Sequence, residues 1–297
     1  MRTPFSLFSF LSISLFVAIS PAQAELPLNI EDILTDKGKV KLDTSLSYSN
    51  LERSGLSIGE PTIIQTGPTS FIALPASVVG ESTTNSDSLV GTLGLRYGLT
   101  ANTEVYIRSS YLSYGQRNTE ADGTKNSVRN NRWADAWAGI NYRFKDDGKT
   151  PALLGFAEIA LFEKPIEKKS SFKSAMMGFT TYKAIDPIVL SLTAAYQFNK
   201  EREDKEAKYK PGNFVLVNPS VAFAVNDRIT LTTGMQWISR AADRFDGQDL
   251  GMRRTSTDLV LGVGYGVSKG NTLNFTLQSN VSGRGGADLR FSWLYTL

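Results

Sequence analysis

The chain has 297 residues, 41% of them apolar, a formal charge of +3, no cysteine and no histidine. Without cysteine there are no disulfides or thiolate metal sites, and without histidine the Ser-His and His-Asp arrangements and the usual imidazole ligands are gone. The charge bias is too small to argue for nucleic acid or a polybasic membrane surface, and no recognisable catalytic pair, metal motif or cofactor loop is present, so the sequence points away from an enzyme.

The N-terminus reads MRTPFSLFSFLSISLFVAISPAQAELPLN, with Arg2, an apolar stretch from Phe5 to Ile19, then Pro21 and Ala22-Gln23-Ala24. That is a secretory signal peptide over residues 1–24, ending in an A-x-A cleavage site. Next comes LNIEDILTDKG, with Asn29 as N-cap, Glu31 and Asp32 in the first turn, and Lys37 and Gly38 at the end. These are start and stop signals of a short helix, so residues 25–38 form a periplasmic segment. Ile30, Ile33 and Leu34 share a face, and with Asp32 they make a candidate plug. At about two turns the helix must pack on something: it either plugs the interior of the fold that follows or rests on its rim.

From residue 39 onward the dominant period is two. KVKLDTSLSY sets Val40, Leu42, Leu46 and Tyr48 against Lys41, Asp43, Ser45 and Ser47. The same alternation recurs in SLVGTLGLRYG, ADAWAGINYRF, PIVLSLTAAYQF, ITLTTGMQW, TDLVLGVGYG and TLNFTLQS. Each is a strand with one apolar and one polar face. Twelve strands are expected, over 39–53, 84–98, 103–116, 132–145, 152–163, 172–184, 187–200, 213–226, 228–240, 254–267, 271–281 and 287–297. Most exceed the roughly 5–6 residues usual in globular proteins and fit the roughly 9–11 that a tilted membrane strand requires.

The connections alternate as well. LTAN, DDGKTP, IDP, ND and SKGN are short, whereas the odd-numbered strands are followed mostly by longer, polar links. This is the pattern of an outer-membrane barrel with both termini at the periplasmic, short-turn end. Within the first long link, TIIQTGPTSFIAL reads as a hairpin with a Gly-Pro turn that folds over or into the mouth; as two more membrane strands it would make 14, but each arm is short for a span. KEREDKEAKYK reads as a solvated loop. Tyr97, Tyr142, Phe144, Tyr182, Tyr265 and Tyr295 fall at short-turn ends and form one aromatic girdle; Tyr111 and Trp237 suit the other. The chain finishes on LRFSWLYTL, whose Phe291, Trp293, Tyr295 and Leu297 resemble the C-terminal assembly signal of bacterial outer-membrane proteins, although that signal typically ends in Phe.

The fold class is therefore all-β, a transmembrane antiparallel up-and-down barrel of about 12 strands over residues 39–297. Its polar rows place Lys41, Asp43, Arg96, Glu104, Arg108, Asp135, Arg143, Glu158, Asp258 and Arg290 toward the lumen, either lining water or paired with one another. Glu158 stands out in PALLGFAEIALFEK, where the residues around it are apolar on both faces, and is expected to pair with an arginine.

LPLNIEDILTDKGKVKLDTSLSYSN, GLRYGLTANTEVY and AWAGINYRF resemble outer-membrane barrels grouped with the phenol meta-pathway degradation proteins, a group related to functional-amyloid secretion channels. The amyloid channels carry an extra periplasmic coiled-coil region without a counterpart here. The resemblance implies a transporter or porin of the Gram-negative outer membrane. Its expected partners are membrane lipid and lipopolysaccharide, the barrel assembly machinery, and a small solute or exported polypeptide, with no nucleic acid. The expected function is passive transport of small solutes, hydrophobic or aromatic ones included, gated or plugged by the N-terminal helix. The alternatives are a secretion channel for an unfolded polypeptide and a structural or adhesive barrel with a blocked lumen.

Overall fold

The structure is a computed structural model and describes residues 34–67, 70–119, 125–164, 170–204, 207–282 and 286–297, with side chains at all of these except 52–62, 70–83, 204 and 207. The signal peptide and Ile30, Asp32 and Ile33 of the expected plug lie outside the described residues. Twelve strands close into one antiparallel barrel: β1 (Val40–Gly67), β2 (Ser70–Gly98), β3 (Thr103–Thr119), β4 (Lys125–Lys145), β5 (Ala152–Glu163), β6 (Ser174–Ile185), β7 (Ile188–Asn199), β10 (Phe214–Ala224), β11 (Ile229–Arg240), β14 (Arg254–Ser268), β15 (Asn271–Asn280) and β16 (Ala287–Thr296). Each pairs with its sequence neighbour in the barrel, and β16 returns to β1 in the register Lys41↔Thr296 through Asn50↔Ala287. Four shorter strands, β8 (Arg202–Asp204), β9 (Ala207–Lys210), β12 (Asp243–Phe245) and β13 (Gln248–Leu250), form a separate sheet at the long-loop end.

The barrel is inside out relative to a soluble sandwich. Leu95, Ile107, Ile140, Leu231 and Phe275 are exposed on the outer surface, while Glu104, Arg108, Asn141, Gln236 and Thr272 are buried in the interior. Closure satisfies the backbone of every strand without leaving an edge, and only helices and closed sheets meet that requirement in hydrocarbon. The outward row is thus a lipid face. Leu192 and Leu261 are 37% and 44% exposed on it. Leu192→Arg and Leu261→Arg should each cost about 2–4 kcal/mol of stability in denaturant titrations of lipid-embedded protein. Arginine at Thr232, in the inward row of β11, should cost much less, and equal losses at all three sites would contradict this register.

At the short-turn end Tyr97, Tyr142, Phe144, Tyr265 and Tyr295 are exposed on the outside, with Tyr142 and Phe144 packed edge to face at 4.8 Å. Tyr182 departs from the expected girdle. It shares its parity on β6 with the buried Ser174 and Thr180, and it packs inward beside Ala152, Leu154 and Leu34. Nearer the other end, Tyr111 meets Trp133 edge-on at 5.5 Å, and Trp237 is also exposed.

The largest departure from expectation is the length of β1 and β2, 28 and 29 residues. Their pairing continues past Arg53↔Thr84 to Gly67↔Ser70, with irregularities between Ser54 and Leu56, Gly59 and Thr62, and Gln65 and Gly67. Bulges bend and twist a ribbon locally. The hairpin here turns back on the barrel, and the TIIQTG tip enters the lumen rather than adding two membrane strands. The acidic-basic link after β7 also gains structure: residues 202–204 and 207–210 pair as β8 and β9 where a solvated loop was expected.

Candidate functional site

The lumen is filled from three directions: by its own wall, by the hairpin tip and by the chain preceding β1. On the wall, Arg96 Nη1 donates to Glu104 at 3.2 Å and Nη2 lies 3.7 Å from Asp43; all three are buried, as is Lys41 beside them. Arg108 donates to Glu158 from Nη2 at 2.9 Å and from Nε at 3.2 Å, with Asp135 at 3.7 Å and the Trp137 ring at 5.1 Å. The arginine expected for Glu158 is therefore Arg108. These two clusters occupy the β1–β5 side, where Coulomb attraction is weakly screened and each charge has an opposite partner. Asp258 is buried separately and accepts from Gln278 at 2.8 Å and Asn280 at 2.5 Å. Arg143 sits at a short turn, half-exposed, donating to the Ala101 carbonyl and pairing with Asp146 at 2.9 Å. Arg290 donates from Nε to Ser47 at 3.1 Å. Arg96, Arg108 and Arg143 are thus each engaged by a carboxylate of the described chain.

The hairpin tip is the element that occludes the lumen. Ile63 packs with Val90, Leu112 and Tyr114 on one side, whereas Ile64 packs among Phe156, Met176, Phe214, Leu216 and Ile238 on the other. Gln65 accepts from the Tyr106 hydroxyl at 3.2 Å, and Tyr106 lies at 3.3 Å from Glu158 as well. Thr66 faces a further cavity against β10, β11 and β16. Residues 63 to 66 are all buried, and alternate side chains reach opposite walls because a strand directs them so. A barrel of about 8 strands is filled by its own side chains and one of 16–18 leaves a channel. At twelve strands, one inserted hairpin is enough to close the interior.

At the short-turn end, Thr35 donates to Glu104 from its backbone N at 2.7 Å and from its hydroxyl at 2.5 Å, and Leu34 packs on Ala152 and Leu154. Glu104 also accepts from Asn141 at 2.7 Å, so its oxygens are well supplied. Residues 34–38 contain no helix; Lys37 instead bridges in parallel to Gly98. A Cβ on Gly98 would lie 2.0 Å from the Asp36 carbonyl oxygen, so only glycine admits this close backbone approach. The chain entering β1 thus crosses the base of the lumen, whatever lies before it.

At the rim the small sheet is tied to the wall. Arg202 donates to Glu163 at 2.5 and 3.2 Å and to the Ser174 hydroxyl at 2.7 Å. Asp243 accepts from the Gly212 backbone N at 2.7 Å, from Arg240 at 2.9 Å and from the Tyr209 hydroxyl at 3.1 Å. Burial pushes the Tyr209 phenol well above its ordinary pKa, and the neighbouring Asp243 carboxylate adds to that.

Tyr106, Gln65, Thr35 and Gln236 were not singled out from the sequence. Tyr106 is legible, since it shares the inward parity of β3 with Glu104 and Arg108, and Gln236 lies on the polar face of the alternating segment ITLTTGMQW. The other two depend on where the tip and the N-terminal segment travel.

No protein-family model matches the chain, and no curated protein matches it. Among solved structures, the COG4313 outer membrane channel from Pseudomonas putida F1 is similar with a TM-score of 0.60 at 10% identity, over 90% of this chain and 98% of that one. The translocator domain of the autotransporter NalP from Neisseria meningitidis has a TM-score of 0.52 at 10% identity, over 88% of this chain and 89% of that one. At such identities the likeness speaks for the fold, and the fold is that of a bacterial outer-membrane β-barrel.

Proposed function

We propose that the protein is a passive channel for small solutes in the outer membrane, with both termini periplasmic and the tip of the β1–β2 hairpin as its gate. One observation carries this reading: the lumen is occluded by a segment that is not part of the wall. The tip contributes no wall strand, and Tyr106 on the wall donates a hydrogen bond to its Gln65. Its withdrawal would leave every barrel ladder intact. It would also uncover the inward apolar patch of Phe156, Met176, Phe214, Leu216 and Ile238, a surface suited to a hydrophobic solute. Leu34 and Thr35 form a second constriction at the periplasmic end. The chemistry is selective passage without turnover, and the membrane lipid, lipopolysaccharide and barrel assembly machinery are its expected partners.

The test joins Ser54 to Thr83, which pair in the ribbon, through an Asn-Gly turn in place of residues 55–82. In planar bilayers the shortened barrel should conduct several-fold more than the intact protein, which should open rarely. A shortened barrel that is heat-modifiable, inserted and no more conductive than the parent would overturn the channel reading and leave a structural or adhesive barrel.

A further inference from the structure

Along one face of the hairpin tip the opposing wall changes character between Ile64 and Thr66, and the boundary crosses two strands. On β10 the inward row reads Phe214, Leu216, then Asn218; on β11 it reads Ile238, then Gln236. Each strand changes from apolar to polar within one inward step, about 7 Å. The apolar positions hold Ile64. The polar positions face a cavity of about 530 Å³ of empty space, its open mouth included, whose lining also includes Thr66, Ser47, Asp288 and Arg290.

That cavity holds donors without acceptors. Gln236 is 1% exposed, yet its Nε2 has no hydrogen-bond partner among the described residues, and neither has Arg290 Nη2. A buried N–H left unmatched costs roughly 1–3 kcal/mol. Two of them on one cavity mark the place where an acceptor oxygen fits. Asp288 stands two residues before Arg290 on the same face of β16, so the lining is close to charge-balanced and a carboxylate would meet repulsion there. A hydroxyl meets none: its oxygen accepts from Gln236 or Arg290, and its proton can go to Asp288.

We propose that the lumen binds a small amphiphile, with a branched apolar body of about the size of an Ile side chain and a hydroxyl group at one end, and that this solute displaces the hairpin tip. The apolar body takes the seat of Ile64 between Leu216 and Ile238; the hydroxyl takes the place that Thr66 faces, next to Gln236 and Arg290. In the closed state Ile64 fills the apolar seat, while Thr66 borders the polar cavity and leaves Gln236 Nε2 and Arg290 Nη2 unmatched. Because solute and tip compete for one space, the solute stabilises the open state in proportion to its preference for it. The proposal rests on the tip being the gate.

The chain has no cysteine, so one introduced at Ile63 (Ile63→Cys) reports exposure of the tip through its rate of modification by a membrane-impermeant thiol reagent. Gln65→Cys serves as second reporter should the first not yield a heat-modifiable barrel. With 3-methyl-1-butanol as probe, labelling of the folded, detergent-solubilised protein should accelerate at least fivefold and saturate. Glycerol, with hydroxyls but no apolar body, should leave the rate within twofold, and so should isovalerate, with the same body but a carboxylate. Gln236→Leu in the reporter background should remove most of the acceleration by the alcohol. Equal acceleration by glycerol would show a purely polar site, equal acceleration by isovalerate would remove the role given to Asp288, and an undiminished response in Gln236→Leu would show apolar partitioning alone; each overturns the proposal. No acceleration by the alcohol overturns it too, and if the shortened barrel nevertheless conducts, the channel reading survives that failure.

Discussion

Truncation before Tyr295 should abolish barrel assembly. Strand β16 is held on both sides, by β15 and by β1, and its last residues do much of the closing. Tyr295 pairs with Leu42 and Asn271; Thr296 pairs with Lys41 and donates its N–H to the Gly270 carbonyl at 2.7 Å; Leu297 donates to Val40 at 2.8 Å. Without them the first residues of β1 and the start of β15 lose ladder partners at the membrane boundary, where each unsatisfied backbone group costs several kcal/mol. Tyr295 also packs on Trp293, with ring centroids 5.8 Å apart, so truncation removes part of the aromatic run that resembles an assembly signal. The truncated protein should accumulate in the periplasm or be degraded, with little or no heat-modifiable band in outer-membrane fractions. A normal yield of heat-modifiable barrel would show that neither closure nor assembly needs these residues.

The second large effect is expected at Arg108 and Glu158. Replacing Glu158 with Ala leaves a buried guanidinium that keeps Asp135, 3.7 Å away, as its carboxylate at salt-bridge distance among the described residues. Breaking a buried pair from one side typically costs about 3–5 kcal/mol, because the surviving charge stays desolvated. Arg108→Ala should cost at least as much, since it strands two acids, Glu158 and Asp135. The double variant should cost less than the sum of the singles, with a coupling of about 0.5–3 kcal/mol. Denaturant titration in lipid measures all three. Losses that simply add would mean the pair is hydrated and independent. Glu158→Ala carries a functional signature besides: the single Tyr106 hydroxyl proton, for which Glu158 and Gln65 compete, then goes to Gln65 alone, so the tip should open less often in single-channel records.

How much of this was legible beforehand follows from which interactions are local. The alternation in KVKLDTSLSY or TLNFTLQS is set by partition between lipid and lumen, and that partition acts residue by residue. Strand number, the short-turn and long-loop ends, and the inward facing of Lys41, Glu104, Arg108 and Glu158 could therefore be read from sequence, and β5 spans the expected 152–163. Tyr182 was misassigned because an aromatic ring at a strand end suits a girdle; its parity with Ser174 and Thr180, and the seat beside Leu34, decide otherwise.

The identity of the occluding element was beyond local reading. TIIQTGPTSFIAL shows a hairpin, but nothing nearby says whether it lies over the barrel or inside it. The seat for Ile64 is assembled from Phe156, Met176, Phe214, Leu216 and Ile238, contributed by four strands far along the chain. Likewise Gln236 and Arg290 are each an ordinary polar residue on an inward row; only closure of the barrel and insertion of the tip bring them to one cavity with unmatched donors. The sequence by itself determined the barrel and its polarity, because these arise from the solvent on each face. The tertiary structure alone decided what fills the lumen, because long-range packing places side chains that solvent partition cannot distinguish.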